Sequence, residues 1–258
     1  MNIAVVNNDQ RMQEVYFALS HKYAVTAIHE FTNFDDVSNI DVLVLPVKGI
    51  DEEGNITANG KKLHIPSSFW ENLSPSCIVF AGLAHPFLDA LPCKVMYYMQ
   101  DEELLLENAQ LTAEGILFLL IDNTPTSIKE LQVDVIGYGR CGKAIVDWLT
   151  GLGIDVRVIR REVEETKEFM SVDTWIHEEP SSVIINTSIQ KILKKEVLGS
   201  WESKPLIIDI ATPDVIDMDT AQVLGIRVIK AGNLPSMIAY KSAGRLIAKF
   251  VRDNIHEE

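Results

Sequence analysis

The sequence predicts an α/β protein of two doubly wound parallel-sheet domains joined by a long helix. Short apolar strands alternate with helical stretches in both halves of its 258 residues, the pattern of a parallel sheet covered by helices. The longest uninterrupted helical pattern, 102–121, lies between the halves. In the second half, Gly137-Tyr138-Gly139-Arg140-Cys141-Gly142 places GxGxxG at a strand-to-helix turn. The expected domains are 1–103, with the C-terminal helix 235–258 packing back on it, and 127–234. Residues 104–126 form the connecting helix.

The first strand is 3–6. The helix after it starts near Asp9 and carries Met12, Val15, Tyr16 and Leu19 on one face. Strands follow at 24–29, 41–45, 77–81 and 95–98. Residues 48–68, rich in Gly, Asn and charge, read as a long loop that overhangs a cleft, since long connections inside compact domains are commonly functional. The long helix stops at Asp122-Asn123-Thr124-Pro125. Strands at 131–136, 155–159, 183–186, 206–210 and 226–229 make the second sheet. Residues 235–254 read as one helix with Pro235 near its start, returning across the domain interface.

LQVDVI at 131–136 is a buried strand by pattern, and KAIVDWL at 143–149 has apolar residues at helical spacing. Between them, the first glycine makes a tight turn, the second lets the backbone approach a pyrophosphate, and the third lets helix pack on strand. The pyrophosphate would sit among unpaired N–H groups at the helix N-terminus. A plain tight turn is the competing reading. The next strand decides which dinucleotide. Where an NAD-binding chain places an acid for the ribose 2′-OH, this one has Arg160-Arg161 and then Glu162. Two guanidinium groups suit a 2′-phosphate, so the cofactor is read as NADP. A solvated charged loop competes, and Glu162 becomes the ribose acceptor if the register slips. Asn186-Thr187 and Asp209 end later strands, where loops approach ribose and nicotinamide; Asp209 equally suits a turn cap.

The net charge of −14 and the lack of a Lys/Arg-rich run exclude a nucleic-acid partner. Three widely spaced cysteines, Cys77, Cys93 and Cys141, indicate neither a disulfide framework nor a metal site and fit a reducing compartment. The N-terminus lacks a signal-peptide pattern, and the longest apolar run, 116–121, falls far short of the roughly 18 residues of a membrane span. The expectation is a cytoplasmic protein with no membrane partner.

Several stretches together carry a resemblance. They are IAVVNNDQR at 3–11, LPV at 45–47 with Gly54 downstream, CIVFAG at 77–82 and DEELLLENAQLTAEG at 101–115. VIGYGRCGKAI at 135–145 follows, then Leu234-Pro235 with Lys241 and Gly244. In this order, over nearly the whole chain, they resemble the dipicolinate synthase A-subunit family of endospore-forming bacteria. The resemblance implies a flavodoxin-like N-terminal domain and a Rossmann domain related to those of alanine and 2-hydroxyacid dehydrogenases. It implies NADP-dependent oxidation of dihydrodipicolinate to dipicolinate, a pyridine dicarboxylate, in the mother cell during sporulation. The implied partner is the flavoprotein-like B subunit of the same synthase; a homo-oligomer is also expected. The chain departs from the family pattern at Asn7-Asn8, where a glycine pair is expected. It also departs after Arg160 and at 209–219, which are reduced or altered.

Aromatising a dihydropyridine removes a hydride and a proton, and NADP⁺ suits the hydride. The protein must hold the ring against the nicotinamide, bind two carboxylates of a small dicarboxylate, and receive the proton. These are expected to meet between the domains. Arg11, just after the first strand, stands at the sheet edge where open α/β sheets bind ligands and is the carboxylate candidate. Lys241, in PSMIAYKSAGR, is a second cation or a base. For the proton the candidates are Glu114, which interrupts LTAEGILFLL as a partly buried carboxylate, Asp101, and His85 after a strand in GLAH. Asn108 and Thr112, one helical turn apart, would orient substrate. Each of these also has an ordinary solvated or helical reading. Two other functions stay open: a non-catalytic NADP-binding protein that regulates or scaffolds the synthase, and a 2-hydroxyacid or amino-acid dehydrogenase. The hydroxyacid enzyme would need a histidine late in the cofactor domain, and 211–254 contains none.

Overall fold

The computed structural model describes residues 1–58 and 61–255. The expected helix end at 256–258 and positions 59–60 of the expected loop lie outside the described residues. The chain divides into two compact units, Met1–Asn108 with Ala239 onward, and Ala109–Ile238.

In the first unit, β1 (Asn2–Val6) leads to α1 (Gln10–Ser20). Asp9 caps that helix, its carboxylate accepting from the Met12 amide at 2.7 Å. β2 (Ala24–Ile28) and β3 (Val42–Val44) follow. In place of the expected loop, β4 (Ile56–Ala58) and β5 (Lys61–Leu63) pair antiparallel, with Ile56 opposite Leu63 and both buried. Three-residue strands are too short to show alternation, so composition alone reads as loop. α2 (Ser67–Glu71), β6 (Ile78–Ala81), α3 (Pro86–Asp89) and β7 (Lys94–Tyr97) complete the alternation. Among the described residues the sheet is five-stranded and parallel, in the order β2-β1-β3-β6-β7. That is the flavodoxin-like order, with its reversal between β1 and β3. Alternate residues of one strand feed opposite faces. Ala4 and Val6 pack with Phe69, Trp70 and Leu88, whereas Ile3 and Val5 pack with Met12, Val15 and Phe80.

α4 (Glu102–Asn123) is capped by Asp101, whose carboxylate accepts from the Leu104 amide at 2.8 Å. It is long and apolar enough to cross a membrane by length and composition. In this fold, however, Ala109, Ala113, Ile116 and Leu120 form a stripe buried in the core of the second unit.

The second unit runs β8 (Gln132–Ile136), α5 (Arg140–Gly151), β9 (Asp155–Arg160), β10 (Phe169–Ser171), α6 (Val172–Trp175), β11 (Val183–Asn186), α7 (Lys195–Leu198), β12 (Leu206–Asp209), α8 (Met218–Leu224), β13 (Val228–Lys230) and α9 (Leu234–Ile238). Its parallel sheet has the order β10-β9-β8-β11-β12-β13. Numbered within the unit this is 3-2-1-4-5-6, the dinucleotide-binding order, with its reversal between β8 and β11. β10 is not expected from the sequence, again because it is three residues long.

The single helix expected at 235–254 is two. Ala239, at φ −124° and ψ 41°, breaks it into α9 and α10 (Tyr240–Asn254). α10 packs on α1 in the first unit, where a Cβ on Gly244 would stand 2.6 Å from the Arg11 carbonyl oxygen.

Candidate dinucleotide site

The site in the second unit is built on its strand reversal. β8 delivers Gly137 at φ +98°, a conformation side chains rarely adopt. Gly139 is the N-cap of α5 and supplies no side-chain cap, so the first N–H groups of that helix have no capping partner on it. Nothing lies within 4 Å of where a Cβ on Gly139 would be. Gly142, by contrast, is buried against the turn it follows. These are the features of a cradle for a pyrophosphate, with open space above the second glycine and helix donors facing it.

The cradle opens into a cavity of about 860 Å³ lined by Gly137, Tyr138, Gly139, Arg160, Arg161 and Thr187, among others. That volume suits a ligand of cofactor size. Tyr138 is held edge-on by Phe169, ring centroids 5.4 Å apart, and carries the Lys143 ammonium 5.6 Å from its centroid. The Thr187 hydroxyl donates to the Ile136 carbonyl at 3.0 Å, tying β11 to the end of β8. Glu162 also lines the cavity. So does Gln190, which sequence reasoning misses: an amide in a polar loop carries no spacing signal.

Other residues expected at the cofactor are placed differently. Arg140 and Cys141 open α5 without lining the cavity. The Cys141 thiol is pushed up by burial, against a hydrogen bond from Thr112 that favours the thiolate. Thr112 is itself buried. Asn186 and Asp209 are buried in the sheet end rather than in the cavity wall. The Asp209 carboxylate accepts from Lys230 at 2.7 Å, from the Asn186 amide at 2.8 Å and from the Ala211 backbone at 3.1 Å. Burial opposes the charge on Lys230, but the carboxylates of Asp209 and Asp214 outweigh it and raise its pKa. Asn186 in turn donates to the Ser188 carbonyl and accepts from the Ser188 amide, both at 3.2 Å. Asn186 and Asp209 therefore shape the loop after β11.

The first unit has its own ligand edge at the β1/β3 reversal. Arg11 reaches Asp9 at 3.5 Å, and its Nε is buried with no hydrogen-bond partner among the described residues. Both polar side-chain atoms of Asn8 are likewise buried and unpartnered. Buried polar groups are normally paired, so such atoms mark a place for a ligand or ordered water. Asn8 is visible in the sequence only as a departure from the family pattern. Farther along the same edge, His85 caps α3, its Nδ1 accepting from the Phe87 amide at 3.3 Å, and lines a small pocket with Val47 and Leu88. Asn108 is half-buried in the first unit's part of α4, Glu114 is half-buried in the second unit's part, and Lys241 is exposed in the first turn of α10.

Residues 3–98 match the family model for the N-terminal domain of the A subunit of dipicolinate synthase. Across 277 aligned positions the chain is 27% identical to the A subunit of dipicolinate synthase from Bacillus subtilis, covering 96% of this chain and 93% of that protein. The crystal structure of the corresponding protein from Bacillus halodurans superimposes with a TM-score of 0.87 at 22% identity, covering 100% of this chain and 98% of that one. The crystal structure of the Bacillus subtilis protein gives a TM-score of 0.83 at 24% identity, covering 98% and 95%.

Proposed function

We propose that the chain is a member of the dipicolinate synthase A-subunit family, whose N-terminal domain model matches residues 3–98, and that it is the NADP-dependent oxidoreductase component that aromatises dihydrodipicolinate to dipicolinate, acting with the B subunit in the cytoplasm of the mother cell. The observation that carries the reading is the uncapped α5 N-terminus beside Gly139, opening into a cavity that Arg160 and Arg161 also line. The donors match both phosphate ends of NADP: backbone N–H groups for the pyrophosphate and guanidinium forks for the 2′-phosphate. When bound, NADP⁺ supplies the hydride acceptor.

The remaining roles fall to side chains of this chain. Arg11, with an unpaired Nε, is the proposed ligand of a substrate carboxylate, and Asn8 offers an amide donor near it in sequence. Lys241 is the second proposed cation. Glu114 or His85 is the proposed proton acceptor, with Asn108 and Thr112 orienting the ring. The Nδ1 atom of His85 is engaged in capping, which leaves Nε2 as the atom able to act.

The test is to mix the purified chain, with and without its B-subunit partner, with dihydrodipicolinate and NADP⁺ and follow NADPH absorbance. NADPH should appear in step with dipicolinate. Product formation at the same rate without NADP⁺ would overturn the reading.

A further inference from the structure

Arg161 and Gln190 lie in the wall of the same cavity, one after β9 and the other after β11, on the two sides of β8. With its amide oxygen turned to the guanidinium, Gln190 accepts from both Nε and Nη1 of Arg161, each at 3.2 Å. The opposite orientation would set an NH₂ group against N–H donors, which fixes the amide this way round. We propose that Gln190 is a positioning residue for cofactor choice: it holds the Arg161 guanidinium at the edge of the cavity, ready for the 2′-phosphate of NADP. The inference rests on the NADP reading above and adds the residue that makes it selective.

Gln190 is itself held. Its backbone N–H donates to the Ser188 hydroxyl at 3.2 Å, Ser188 exchanges hydrogen bonds with Asn186, and Asn186 is anchored on the buried Asp209. A continuous chain of hydrogen bonds thus runs from the sheet end to the guanidinium. An exposed arginine otherwise loses considerable side-chain entropy when it binds a phosphate. A neutral amide acceptor fixes the fork in advance without cancelling its positive charge, which a carboxylate at the same place would do.

The experiment is calorimetric titration of the full-length protein with NADPH and with NADH, without substrate, for wild type and for Gln190→Ala, Gln190→Glu and Arg161→Ala. Gln190→Ala should weaken NADPH binding about ten-fold and change NADH binding less than about two-fold. Gln190→Glu should weaken NADPH further, because the new carboxylate neutralises Arg161 and repels the 2′-phosphate, again sparing NADH. Equal losses for both cofactors in the two Gln190 variants, or no loss for either, overturn the inference. The reading beneath it fails separately: wild type binding NADH as tightly as NADPH, or Arg161→Ala leaving the ratio of the two unchanged, would remove NADP preference itself. Melting temperatures of the variants, measured in parallel, separate a loop that has lost its shape from a guanidinium that has lost its anchor.

Discussion

Gly142 lies against the carbonyl of Gly137 so closely that a Cβ on it would stand 2.3 Å from that oxygen. The obstacle is backbone, which cannot swing aside, so Gly142→Ala must push α5 off the end of β8. Overpacking of this kind costs about 1–3 kcal/mol, and the melting temperature should fall by several degrees. Gly139→Ala is the contrasting variant. Its methyl enters open space, so thermal stability should hold while dinucleotide affinity drops, because the added carbon occupies the approach to the helix N-terminus. Thermal melts and cofactor titrations on the two variants check both halves. Equal stability loss in both would mean that Gly139 is packed after all.

Asp134 is fully buried at the centre of β8 and holds a network that concerns stability alone. It accepts two hydrogen bonds from Arg157, at 2.8 and 3.0 Å, one from the Trp175 indole at 2.8 Å and two from Ser181. Removing the carboxylate strands a partly buried guanidinium and several donors at once. Asp134→Ala should destabilise by about 3–5 kcal/mol, since breaking one side of a buried pair leaves the other uncompensated. Asp134→Asn keeps the shape and some of the acceptors and should lose less. Urea denaturation of both variants measures this, and a near-neutral Asp134→Ala would show the network to be dispensable.

Both sheets are legible in the sequence because their central strands are buried on two faces and read as apolar runs, while GxGxxG names its own turn. The Asp134 network is not legible. A lone acid inside VDV looks like a solvated strand face, and its partners lie 23 to 47 residues away. The hairpin of β4 and β5, and β10, are too short for periodicity to declare them. The break at Ala239 has no proline or glycine of its own to announce it, although Gly244 shows why the motif around Lys241 carries a glycine: α10 crosses the Arg11 backbone there. Arg160 and Arg161 stand out by their position at the end of a strand, whereas Gln190 needs the fold to bring β9 and β11 to either side of β8.

The three thiols should be inert in the folded protein. Burial pushes Cys77 up to about 12, with Cys93 and Asp41 adding to it. Burial also raises Cys93 and Cys141. The thiolate is the reactive form, so Ellman's reagent at mildly alkaline pH should release little chromophore until guanidinium unfolds the chain, and then all three equivalents together. A fast single equivalent from the native protein, traced to Cys141 by mass spectrometry, would show that the start of α5 opens to solvent.

Acid should loosen the segment around the β4–β5 hairpin. The Lys62 ammonium sits 2.8 Å from the Asp51 carboxylate, and Asp51 also accepts from the amides of Glu53 and Asn55. The Lys62 contact, opposed by desolvation and aided by the Asn55 and Glu53 amides, holds Asp51 at about 2. The unfolded value is about 4. A carboxyl depressed in the folded state adds stability that is present above its unfolded pKa and disappears as pH falls through its folded pKa. The window of loss is therefore from about pH 4 down to about pH 2. Lys62→Met should move the Asp51 midpoint upward, as read by carboxyl carbon chemical shifts. Its acid-unfolding curve should part from wild type above that window and merge with it below. Because the pair is open to solvent, added salt should shrink the difference. An Asp51 midpoint unmoved by Lys62→Met would transfer the effect to the backbone amides of the turn.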